Sequence, residues 1–147
     1  MIKVEHKKGK HNVGILDKIR IYFISLFRKK LIIKFTEDSK YDLKDEDQYD
    51  FNKIVGRGGL IVNSKGIRKT EQFLVWRYNI KEDVFEVTQY WRKDYKFDYN
   101  RDLIKMRVNQ EEEFDLSFLK SPIPSGGHFG GNEVAPNDLN YKIKGVF

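Results

Sequence analysis

The chain has 147 residues, the length of one domain, with 39% hydrophobic and 14% aromatic content, enough for a packed core and outside the disordered class. It has no cysteine, which excludes a disulfide framework, a thiolate nucleophile and Cys-ligated zinc. Its net charge of +6 is unevenly placed: residues 1–35 carry ten cations against two acids, and residues 36–52 carry seven acids against two cations. Such a division marks either a basic segment that meets an anionic partner or two stretches that neutralise each other in the fold.

Residues 1–12 are polar, cationic and without period, and read as a flexible arm. Lys3, Lys7, Lys8 and Lys10 in that arm, with Arg28, Lys29 and Lys30 beyond it, are candidate contacts for nucleic acid or another anionic surface. Asn12 is placed to cap a helix over roughly 14–28. Leu16, Ile19, Phe23, Leu26 and Phe27 form its apolar stripe at helical spacing. The stripe is expected to cover one face of the sheet; the alternative is a projecting helix suited to a membrane surface or a partner's groove. Asp17, Lys18 and Arg20 interrupt the apolar run, so it reads neither as a secretory signal nor as a bilayer span, and a cytoplasmic, soluble chain is the default. The one composition shift, near residue 30, divides a basic arm and amphipathic helix (1–30) from a β-domain (31–147).

Leu31–Thr36 reads as a strand, followed by an acidic loop or short helix. Gly56, Gly58 and Gly59 then break the chain ahead of a short strand at Leu60–Asn63. The segment VGRGGL (55–60) lacks the Lys-Ser/Thr pair and following helix of a phosphate-cradling loop, so it reads as a bend or bulge. Gln72–Ile80 and Val84–Trp91 alternate as two strands of a hairpin joined by Lys81, Glu82 and Asp83. Leu74, Trp76, Tyr78 and Ile80 share one face, with Trp76 in the core, and Phe73, Val75 and Arg77 share the other. Further alternation at Asp102–Val108, Glu113–Leu119 and Asn140–Val146 completes about seven strands. The expected fold is mainly β: an antiparallel β-sandwich, jelly-roll-like, or a partly closed barrel, with one N-terminal helix.

A glycine-rich loop, SGGHFGGNEVAPND (125–138), offers a binding site at the end of such a sheet. At least one of Gly126, Gly127, Gly130 and Gly131 is expected at positive φ. The candidate binding residues are His128, Phe129, Asn132 and Asp138 of this loop with Tyr90, Arg92, Tyr95 and Tyr99 nearby, the tyrosines serving as a stacking platform for sugar rings or bases. His128 is also the one candidate general base, and Glu111–Glu113 with the acids of 42–50 are candidate carboxylates for glycoside chemistry. Neither has the spacing of a catalytic or metal motif, so no cofactor and no metal are expected. Three functions follow in order: a non-enzymatic binding or structural module for a carbohydrate or protein partner; an accessory protein bound to nucleic acid through its basic N-terminus; and a small hydrolase or lyase using His128.

The segments EDQYDFNKIVG (46–56), FLVWRYN (73–79) and HFGGNEVAPNDL (128–139) resemble a family of small, uncharacterised β-rich bacterial proteins. In that family an EDQ-D-NK-G segment precedes a WRY strand, and an FGGN-APxD loop lies near the C-terminus. The likeness covers residues 31–145 and implies a β-rich fold; it carries no catalytic role onto these residues.

Overall fold

A computed structural model of the chain describes residues 1–130 and 133–147. Its elements are β1 (Ile2–His6), α1 (Ile15–Phe27), β2 (Lys30–Phe35), β3 (Asn52–Gly58), β4 (Glu71–Asn79), β5 (Val84–Lys93), β6 (Lys96–Tyr99), β7 (Ile104–Met106), β8 (Glu111–Asp115), β9 (Ile123–His128) and β10 (Leu139–Val146). Two short 3₁₀ turns, Glu37–Ser39 and Glu46–Tyr49, lie in the acidic segment. The strands form two separate antiparallel sheets, ordered β1-β10-β2-β8 and β6-β5-β4-β3-β9, with β7 also paired to β5. This is a β-sandwich with one helix and not a closed barrel.

The central hairpin sets the register of the core. Trp76 lies opposite Val87, and Tyr78 opposite Phe85, so these four side chains share the inner face of the larger sheet. Phe35 from the smaller sheet meets them: its ring stacks on Phe85 at 4.5 Å and lies 4.8 Å from Trp76. Tyr41 and Tyr141 pack against the other sides of Trp76, which is fully buried.

The acidic segment contributes two polar staples. The Gln48 amide donates to the carbonyls of Tyr41 and Tyr78, and its oxygen accepts from Leu43 N–H. Asn52 donates to the Tyr41 hydroxyl and accepts from Gly130 N–H at 2.6 Å. These two residues account physically for the EDQYDFN segment: each buried amide has its partners, as burial demands.

Several expectations are corrected. Residues 1–12 are not a flexible arm, because Ile2–His6 pairs along its length with β10 and buries Val4 and His6. Asn12 does not cap the helix; Gly14 takes that position, and Asn12 bridges to His128. Gly56 and Gly58 stand inside β3 rather than at a break, since the Phe73 ring lies where a Gly56 Cβ would stand. A register shift does occur nearby, between Lys53 and Val55. Leu60–Asn63 contributes only the bridge Val62–Arg68. Residues 125–128 of the 125–138 loop are strand, the end of β9, which lies at the sheet edge where proline is tolerated.

The helix also sits otherwise than expected. Ile21, Ile24 and Ser25 face the sandwich, and the Ser25 hydroxyl donates to Gly56 C=O at 2.6 Å. The stripe of Leu16, Ile19, Phe23, Leu26 and Phe27 is exposed. Close approach of the helix is what the β9 glycines permit. Gly126 (φ 137°) and Gly127 (φ 73°) hold conformations strained for other residues; a Cβ on Gly126 would run into the Ile54 carbonyl and Ile21, and one on Gly127 into Val13 and tightly against Ile21. Gly130 is also at positive φ (39°), and Gly131 lies outside the described residues.

Candidate functional site

Residues directly opposite on paired strands point to the same side of a sheet. On the outer face of the larger sheet this rule lines up a row across all five strands. His128 of β9 stands opposite Lys53 of β3, and Lys53 opposite Val75 of β4. Phe73 of β4 stands opposite Tyr90 of β5, and Tyr90 opposite Tyr99 of β6. Arg77 faces Glu86, and Arg92 faces Phe97. Tyr49, Asp50 and Phe51 rise from the acidic segment on one side, and His11 from the other. Together they enclose a cleft of about 600 Å³.

The aromatic rings occupy it in two groups. Tyr90 and Phe97 are stacked, 5.8 Å apart and inclined by 16°. Phe51 and Tyr99 meet edge to face at 4.9 Å. Phe97 is the most open of them, 62% exposed.

The cations are mostly held. Arg77 donates from Nε to Glu86 at 2.8 Å and from Nη1 to the Tyr49 carbonyl, with its guanidinium 4.6 Å from the Phe51 ring. Arg92 donates to Glu71, to the Tyr95 carbonyl and to the Tyr90 hydroxyl. Lys53 is different: Nζ lies 3.7 Å from Glu71 and 4.5 Å from the Phe73 ring centre, and no close hydrogen bond takes up its donors. Burial holds its pKa below the usual lysine value, against the pull of Glu71. Three acids, Glu71, Glu86 and Asp50, thus face three cations, and Asp50 is itself raised above the ordinary Asp range by burial and by Asp47, Asp45 and Glu46.

His128 stacks on His11 at 5.6 Å with planes inclined by 21°, and Lys18 Nζ of α1 lies 3.4 Å from its Nε2. Lys18 is a donor only, so Nε2 accepts and the ring proton sits on Nδ1. Burial first, then Lys18 and Lys53, push the His128 pKa down to about 3. The imidazole is neutral at pH 7 and far below the value that suits a general base there. Asp138, the acid expected beside it, instead accepts from Lys8 N–H at 2.7 Å.

Of the residues singled out in the sequence, His128, Tyr90, Arg92 and Tyr99 line the cleft. Phe129 does not, being fully buried against His6 and Tyr41. Tyr95 belongs to the β5–β6 turn, where it and Asp94 take positive φ. Asn132 lies outside the described residues. Lys3, Lys7, Lys8, Lys10, Arg28, Lys29 and Lys30 lie away from the cleft: Lys7 pairs with Glu5, Lys30 with Glu113, and Arg28 covers the rings of Phe23 and Phe147. Among the described residues no ion pair joins the basic N-terminal stretch to the acids of 36–52. Glu111–Glu113 lie on β8, in the other sheet.

Sequence reasoning missed His11, Tyr49, Phe51, Lys53 and Phe97. Arg77 was legible, as a cation among the aromatics at an outward position of a strand, and it lines the cleft. No cluster of three or more His, Asp or Glu that could hold a metal occurs among the described residues, and none of their helices is long and apolar enough to cross a membrane. No protein-family model, curated protein or solved structure matches the chain, so the resemblance to small β-rich bacterial proteins gains no support from them.

Proposed function

We propose that the protein is a non-enzymatic binding module whose ligand is a carbohydrate held in the cleft on the outer face of the larger sheet. The observation that carries this reading is the combination of open aromatic rings with donors and acceptors in balance. Sugar rings present C–H faces that pack on aromatic rings and hydroxyls that both donate and accept. Phe97 and Tyr99 offer the first, and Lys53, Arg77, Arg92, Asp50 and neutral His128 offer the second. A nucleic-acid backbone asks for cations without compensating acids. Here Arg77 and Arg92 are tied to Glu86 and Glu71, and Asp50 stands at the rim. Acid–base chemistry at pH 7 has no matched group in His128.

The test is a binding screen against neutral oligosaccharides of several linkages, followed by the Phe97→Ala variant. Phe97 is exposed, so its removal leaves the melting temperature nearly unchanged. The affinity for any saccharide that binds falls at least tenfold, about 1.4 kcal/mol. Equal affinity in the variant rejects the cleft as the sugar site.

A further inference from the structure

We propose that the outward face of α1 docks the protein on a lipid bilayer surface carrying anionic headgroups. Ile15, Leu16, Ile19, Phe23, Leu26 and Phe27 are all exposed, Ile15 at 74% and Leu16 at 67%. At 3.6 residues per turn these six fall within an arc of about 120°. The helix is already fixed by its opposite face, through Ile21, Ile24 and Ser25, so this arc has no part in the fold. It continues onto the sandwich across a groove of about 490 Å³ shared with Met1, Ile2 and Ile143. A contiguous apolar surface of this extent marks a site of contact.

The charges around it select the occupant. Arg20 stands at one margin of the arc, Lys29 and Lys30 follow the last turn, and Lys144 borders the groove. Arg28 lies on the patch itself, its guanidinium 4.0 Å from the Phe147 ring centre and 4.9 Å from that of Phe23. The one acid of the helix, Asp17, is occupied by Glu5 N–H and by Arg20. A second copy packed on this face would bring together Arg28, Lys29 and Lys144, for which no ion pair occurs among the described residues, and desolvate them with no acid to meet them. An anionic bilayer surface instead supplies phosphates at the height of the cations while the apolar arc enters the acyl boundary, the arrangement of an interfacial amphipathic helix. The cleft lies on the outer face of the sheet and is lined by none of the exposed arc, so its ligand and the bilayer do not compete for the same side chains.

The experiment is flotation of the intact chain with vesicles of phosphatidylcholine alone and with about 30% phosphatidylserine added. The protein is expected to float with the anionic vesicles, with binding weakened but not abolished by salt. The exposed double variant Leu16→Glu/Ile19→Glu is expected to keep its melting temperature and to lose roughly tenfold or more in partitioning. No flotation with anionic vesicles overturns the proposal, as does flotation unchanged in the double variant. A dimer in sedimentation that the double variant dissolves also overturns it, by assigning the face to a second copy.

Discussion

Replacing Trp76 by alanine lowers the free energy of unfolding by about 3–5 kcal/mol, a large part of the total stability of a single domain. Trp76 is fully buried at the point where the two sheets meet, between Phe35 and Tyr141 of one and Phe85 of the other, with Tyr41 closing the side. Alanine removes the contacts of an indole and leaves a cavity that rigid β-strands on both sides cannot collapse to fill. Urea unfolding checks this: the midpoint falls while the slope stays as it was. A loss below about 1 kcal/mol would mean the sheets do not pack on this residue.

Acid destabilises the fold through histidines before any carboxylate contributes. His6 is fully buried between Phe129 and Tyr141, and both its ring nitrogens lack hydrogen-bond partners. Burial first and His11 second lower its pKa from 6.5 to about 4. His128 is lowered to about 3, by burial and then by Lys18 and Lys53. Below pH 6.5 the unfolded chain takes up protons on these rings that the folded chain refuses, so stability falls as the pH drops through that window. Each ring accounts for about 3 kcal/mol between pH 7 and pH 4, from roughly 1.4 kcal/mol per pKa unit. Asp83, Asp98 and Asp115, all lowered, lose their contribution only below the ordinary Asp value of 3.8. Asp50 and Glu133 are raised and oppose the trend, but both are largely solvated. Unfolding midpoints at pH 7 and pH 4 measure the fall, and His6→Leu is expected to remove about half of it. An unchanged pH dependence in that variant would show that His6 stays accessible to protons.

The central hairpin was legible because its alternation serves one purpose: the inner positions Leu74, Trp76 and Tyr78 are apolar, and the turn residues between the strands are polar. The helix was legible as a helix but not in its orientation. It carries two apolar arcs, and composition alone favours the larger one. What turns it the other way is long-range: Ser25 finds the Gly56 carbonyl, and the glycines of β9 make room for Ile21. β1 hid behind its lysines, although Ile2, Val4 and His6 alternate; its pairing depends on β10, more than 130 residues away in sequence. β9 read as loop because Pro and Gly weaken a strand, and only its position at a sheet edge makes it one. For the site, Tyr90, Arg92, Tyr99 and His128 could be picked out by residue type. Lys53 could not, since its place in the cleft follows from the pairing of β3 with β4 and β9.

The most direct measurement on the cleft as a saccharide site is an amide chemical-shift titration of the intact protein with the neutral oligosaccharides used in the screen. Shifts are expected to concentrate at Lys53, Arg92, Phe97, Tyr99 and His128, the residues that surround the cleft, and to leave the outward arc of α1 and the smaller sheet unmoved. Shifts confined to other surfaces, or none with any oligosaccharide, would contradict it.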